Sequence, residues 1–175
     1  IKWSDAQFTS DECVLIGNKV DFKVAFWLDS IATLEGVSVN GQYFQDVTNR
    51  YSCNGSINAN QIGNVPLVVD RIVYRIGDTL KSRTVNIDTN LKYQALDTLN
   101  GVKITPLTSS NYGYIGEGLL LTFDNSYGYR INLINDNNDF VMFGNNKVFA
   151  KCNSITSISY GYNQDKSITQ TFDYK

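Results

Sequence analysis

The chain has no histidine among its 175 residues. That one absence excludes nucleophile activation by Ser-His-Asp or Cys-His sets and any metal site built on imidazole. Charge is also scarce: Asp, Glu, Lys and Arg make up 18% of the chain, against about a quarter in an ordinary soluble domain. Glutamate is nearly missing, with Glu12, Glu35 and Glu117 the only examples. The net charge of −2 and a pI near 5.0 argue against a nucleic-acid binder working by phosphate neutralisation. Proline is down to 2 residues. No apolar run approaches the ~18 residues of a transmembrane helix. What is abundant is hydrophobic residues at 42%, with 11 Tyr and 9 Phe, beside much Asn, Ser and Thr. At so low a net charge this content excludes intrinsic disorder, and the length suffices for a sizeable core.

Cys13, Cys53 and Cys152 show no CxxC spacing, so a zinc site is not expected. The chain begins at Ile1 rather than Met. Read as a natural start, this predicts a removed signal segment and a secreted or cell-surface protein without a membrane span. In such a setting one disulfide and one odd thiol are expected, with all three pairings open. Cys53 with Cys152 is a candidate that would close a long loop and restrict the unfolded chain by about 4–5 kcal/mol. Three buried thiols acting as small apolar residues are the alternative.

Period two dominates the chain. Val20, Phe22, Val24, Phe26 and Leu28 fall on one face, with Asp21, Lys23, Ala25 and Trp27 on the other. This predicts a strand with one buried side. Similar runs occupy Pro66–Ile76, Tyr127–Leu133, Ile158–Tyr162 and Ile168–Tyr174, rich in the Val, Ile, Thr, Tyr and Phe that suit pleated surfaces. Turn signals separate them. Asn40-Gly41 between Val37–Val39 and Gln42–Phe44 is the strongest, because both residues tolerate positive φ. Asp124–Ser126, Asn135–Asp139, Gly144–Asn146 and Asn163–Lys166 supply others. The pattern predicts an all-β fold, an antiparallel β-sandwich of immunoglobulin-like or pilin-like type. Thr89–Asn100 is the exception: Leu91, Ala95, Leu96 and Leu99 have helical spacing ahead of Gly101, so one short helix is expected there, with a hairpin at Asn100-Gly101 as the alternative. Asn54–Asn64 reads as a long polar loop. No composition shift marks a domain boundary. The expected organisation is an extended segment over 1–12 and a single domain over 13–175.

Few constellations point to chemistry. Asn135–Asp139 begins like a calcium loop, but Phe140 stands where the turn glycine belongs and Asn146 where the bidentate Glu belongs, so it reads as a hairpin tip. Glu35 and Glu117 are the carboxylates to consider for glycoside hydrolysis, yet each adjoins glycine and reads as a turn residue. No enzyme activity, cofactor or metal is expected. Trp27, Tyr112 and Tyr114, with Trp3, Tyr127, Tyr129, Tyr160 and Tyr162 nearby in kind, offer ring faces with polar tips, as sugar recognition needs. Asn54-Gly55-Ser56 is the only N-x-Ser/Thr sequon and marks a candidate surface glycan. Amides and hydroxyls hold their hydrogen bonds at any pH, so the chain is expected to tolerate acid.

The first residues complete the reading. Ile1–Phe8 is a short extended segment carrying Ile1, Trp3, Ala6 and Phe8, set too far from Val20–Leu28 to be its hairpin partner. Trp3 and Phe8 lie on opposite parities, so a bulge between them is needed to bring both to one face. The Asn-, Ser-, Thr- and Tyr-rich, histidine-free composition and this N-terminal segment resemble the exported β-sandwich subunits of donor-strand filaments: the chaperone–usher pilins and the thread-type surface filaments of thermoacidophilic archaea. The resemblance implies a cell-surface location, glycosylation at Asn54, and head-to-tail assembly of copies of the chain by strand donation. The alternative function is a carbohydrate-binding β-sandwich, a lectin or adhesin domain that takes surface glycans.

Overall fold

The computed structural model describes residues 1–108, 117–134, 140–150, 155–162 and 167–173. The described residues are strands and turns throughout, with no helix among them. The chain clusters into two compact units, Ile1–Ala95 and Leu96–Lys175. One domain over 13–175 is the sequence expectation. The division falls at the end of a long strand rather than in a Pro- or Gly-rich linker, so composition carries no mark of it.

In the first unit, β1 (Lys2–Phe8), β3 (Lys19–Trp27), β7 (Ser52–Asn58) and β6 (Asp46–Thr48) form one sheet in that order. A second sheet is ordered β2 (Cys13–Leu15), β9 (Thr79–Leu96), β8 (Gly63–Ile76), β4 (Ala32–Val39), β5 (Gln42–Phe44). Both sheets feed one core, so the architecture is sandwich-like. Val20, Phe22, Val24 and Phe26 enter it from β3, Cys53 and Ile57 from β7, Leu34, Val37 and Val39 from β4, and Leu67, Val69 and Ile72 from β8. The alternation along β3 is the one expected, with Trp27 turned out to solvent.

The Asn40-Gly41 hairpin is present, with φ of 50° and 79°. Its tip is fastened to β8. Asn40 donates from Nδ2 to the Pro66 carbonyl (3.0 Å) and accepts the Val68 N–H at Oδ1 (2.9 Å). The Gly41 N–H donates to the Asp70 carboxylate (2.6 Å). Asp70 is free to do this because it is the extra residue of a bulge, where Ser38 faces Arg71 and Val39 faces Val69.

Two expectations are corrected here. The segment Thr89–Leu96 is strand, the end of β9, and not a helix; nor is Asn100-Gly101 a hairpin tip, since both belong to β10 (Asn100–Thr108). The reason is a phase break. Pro66 pairs with Lys92 and Val68 with Asp88, so Thr89, Asn90 and Leu91 stand opposite Leu67 alone. Asn90 takes φ 61°, its N–H bonded to Asp88 Oδ1, while Thr89 donates to the Leu67 carbonyl. Beyond the break, Leu91, Tyr93 and Ala95 alternate inward. The expected loop over Asn54–Asn64 shrinks to residues 59–62: Asn54–Asn58 is the second half of β7, paired with β3 and starting opposite β6, and Gly63 and Asn64 open β8.

In the second unit, β10, β11 (Glu117–Asp124), β14 (Lys147–Ala150) and β13 (Phe140–Phe143) form a sheet in that order. β12 (Arg130–Ile134), β15 (Ile155–Gly161) and β16 (Ile168–Asp173) form another. Leu119, Leu121, Phe123, Val148, Ala150, Ile158 and Tyr160 are buried. The expected strand at Tyr127 starts only at Arg130, because Asn125 makes a turn of the preceding residues. Its side chain accepts the Tyr129 N–H (2.9 Å) and donates to the carbonyls of Tyr129 (3.0 Å) and Asn145 (2.8 Å).

Candidate functional site: the N-terminal strand and its flanking groove

β1 has a partner within the chain, which corrects the expectation that it has none nearby. It lies antiparallel to β3, with Trp3 opposite Phe26, Ala6 opposite Val24 and Phe8 opposite Phe22. The distance in sequence is absorbed by the connection, which leaves the sheet to add β2 to the other one. Where it leaves β1 it is clamped to β3 by Thr9 N–H to Asp21 O (2.9 Å) and Asp21 N–H to Ser10 Oγ (2.8 Å).

The register shifts between Trp3 and Asp5, leaving Ser4 as the extra residue. This bulge brings Trp3 to the same side as Ala6 and Phe8, and all three pack half-buried on the core with Ile1. Trp3 meets Phe26 edge to face at 5.6 Å, a geometry aromatic pairs favour. β1 is at the edge of its sheet. Paired on one side only among the described residues, it can leave without breaking another described strand pair.

Ser4 and Asp5 also line a groove of about 370 Å3 with Ala25, Trp27, Arg50 and Tyr51. Trp27 is 69% exposed and Tyr51 44%. Ala25 precedes Trp27 on the same outward face and lies opposite Asp5. Its small side chain leaves the space that a longer one would fill. Arg50 and Asn49 both hold left-handed backbone, with φ 58° and 54°, a conformation that costs a non-glycine residue about 1–2 kcal/mol. Surrounding bonds fix it: Arg50 Nη1 donates to the Asp29 and Ala32 carbonyls, the Arg50 carbonyl accepts Leu34 N–H, and the Tyr51 carbonyl accepts Phe26 N–H.

The other candidate residues are dispersed. Asn54 lies in mid-strand, half-buried, opposite Lys23 and Asp46. Gly55 beside it lies so close to Phe22 that a Cβ would overlap the ring. Cys53 is fully buried as a free thiol whose Sγ donates towards the carbonyls of Phe44 (3.5 Å) and Asn54 (3.6 Å). Burial, with the Asp46 charge second, pushes that thiol up to about 11. Cys152, Tyr112, Tyr114 and the Asn135–Asp139 segment lie outside the described residues. Glu35 is a bulge residue within β4, not a turn residue, and its carboxylate accepts Arg75 Nε at 3.1 Å. Glu117 opens β11. Tyr129 gathers Tyr127, Tyr160 and Tyr162 around it with ring centroids 5.2–5.7 Å away. Burial raises its hydroxyl to about 12, and that hydroxyl accepts the Asp97 N–H (2.9 Å). This cluster is packing rather than an open platform, since Tyr129 and Tyr160 are buried. Among the described residues no group of His, Cys, Asp or Glu is placed to hold a metal, and no helix is long and apolar enough to cross a membrane.

Sequence reasoning found Trp27 and the need for a bulge in β1 but missed Asp5, Arg50 and Tyr51. Asn49, a residue that tolerates left-handed backbone, is the one local signal of the turn that presents the last two. No family model matches the chain, and no curated protein matches it.

Proposed function

We propose that this chain is an exported structural or adhesive subunit of a cell-surface filament, in which each copy gives its N-terminal strand to the next. The supporting observation is β1 itself. It lies at a sheet edge, is joined to β3 by a connection that adds β2 to the other sheet, and presents Ile1, Trp3, Ala6 and Phe8 to the core through a bulge. Strand addition of this kind takes affinity from main-chain hydrogen bonds and specificity from side-chain pockets. Given to a neighbour rather than to its own β3, the same strand makes a head-to-tail contact that does not close, and so a fibre. The reading carries with it an immunoglobulin-like or pilin-like sandwich, and a glycan at Asn54 added before β7 pairs.

Electron microscopy and size-exclusion chromatography of the native protein test it. Filaments or a ladder of oligomers are expected. Deleting residues 1–8 should abolish assembly while leaving a β-rich fold by circular dichroism, and the free peptide Ile1–Phe8 should bind that truncated chain. A uniform monomer, or assembly undiminished by the deletion, would overturn the reading.

A further inference from the structure

We infer that the groove beside Trp27 is a saccharide-binding site that takes a neutral hexose residue. Four independent features converge on it. The first is an aromatic wall. Trp27 ends β3 with most of its surface in solvent, and Tyr51 stands exposed on the same groove. Exposed indole and phenol rings present an apolar face and a polar tip, matching the apolar C–H face and hydroxyl rim of a pyranose.

The second is the floor: Ala25, the outward neighbour of Trp27, opens room against the ring. The third is charge. Asp5 lines the groove from β1 and Arg50 from the turn between β6 and β7, and the two form no ion pair with each other. The Asp5 carboxylate has no hydrogen-bond or ionic partner among the described residues, so its oxygens are open to hydroxyl donors. Arg50 is anchored through Nη1 to two carbonyls, which holds the guanidinium still while leaving its other donors for hydroxyl oxygens. Opposite charges balance, so the site favours a neutral sugar over an acidic or amino sugar. The fourth is backbone. A β-bulge places Ser4 and Asp5, and two left-handed residues place Arg50 and Tyr51; such bulges and strained residues gather at binding sites. The volume of about 370 Å3 lies within the range of small-molecule clefts, roughly 300–1,000 Å3.

The site does not depend on filament assembly, because β1 supplies Ser4 and Asp5 from its place beside β3 in the single chain. The chain has only two tryptophans, Trp3 and Trp27. Intrinsic fluorescence of the monomer fraction of the full chain, titrated with cellobiose, maltose and mannobiose, therefore reads the groove. A saturable change with at least one disaccharide is expected. It should persist in Trp3→Phe and vanish in Trp27→Ala. Asp5→Asn should weaken binding about tenfold or more, as loss of a charge-assisted hydrogen bond does. Saturation-transfer NMR gives the same comparison without a tryptophan signal. No response to any of the three sugars by either method would overturn the inference. So would unaltered binding in both Trp27→Ala and Tyr51→Ala, or a response to the free peptide Ile1–Phe8 alone, which would make the groove a strand-exchange surface.

Discussion

Phe22 and Gly55 face each other across β3 and β7, and neither can change alone. Phe22→Ala should cost about 3–5 kcal/mol through the cavity it leaves, and Gly55→Ala about 1–3 kcal/mol through overpacking. Chemical denaturation of each variant measures both. The glycine is invisible as a core residue in the sequence, where Asn-Gly-Ser reads as turn or sequon. Only the ring opposite it explains why a side chain is absent there. Cys53 gives a second prediction at this scale. Its folded-state value of about 11 exceeds the ordinary 9.0, so the folded chain keeps a proton that the unfolded chain releases. Stability from this group is complete below pH 9 and is lost as pH rises towards 11. Tyr129, raised from 10.0 to about 12, adds loss in the same direction beginning near pH 10. Unfolding titrations should show a falling alkaline limb. The Cys53 thiol should resist disulfide reagents at pH 8 until the chain is denatured.

Among the elements, strands with unbroken alternation were the legible ones. β3 and the Asn40-Gly41 hairpin follow directly from their residues, since one buried face and one left-handed turn are local properties. Strands that change phase were not legible. Leu91, Ala95, Leu96 and Leu99 match a helical face only because the alternating triplet Leu91, Tyr93 and Ala95 begins at a break fixed by Leu67, far away in sequence. Glu35 was hidden in the same way: its bulge is set by the pairing of β4 with β8, and Gly36 beside it is required by the close approach of Tyr43 and Phe44. The groove at Trp27 shares this character, being assembled from a bulge in one strand and a turn after another. Asn40 supplies the test at this scale. Asn40→Ala removes two hydrogen bonds to β8 and keeps a positive φ. A loss of about 2–4 kcal/mol is expected in a urea melt. Asn40→Gly, which relieves the backbone, should lose less.

For the whole molecule, the sparse use of charge has an energetic meaning. One ion pair joins described residues, Arg75 with Glu35, and both side chains are partly exposed. Such a pair contributes about 0–1 kcal/mol. The remaining polar contacts shown are mostly amides, hydroxyls and main-chain groups, such as Asn125 with Tyr129 and Asn145, or Ser157 with Thr171. Thermal melts from pH 8 to pH 2 should therefore change little. A steep loss below pH 4 would show that paired carboxylates carry the fold after all. The division of the chain at residue 95 has no counterpart in composition, because it falls at the end of a strand and not in a Pro- or Gly-rich stretch.

The extra residue at Ser4 bears on fidelity. A strand with regular alternation can slip by two residues and still offer the same face to its partner. β1 cannot, because its two halves are out of step and only a partner strand that accommodates the surplus residue in one place, as β3 does, accepts both Trp3 and Phe8. The strand thus behaves as a notched key, whose seat is set by backbone spacing before any side chain is compared. Removing Ser4 would file the notch away: the chain would lose not its ability to pair but its ability to tell one alignment from the next.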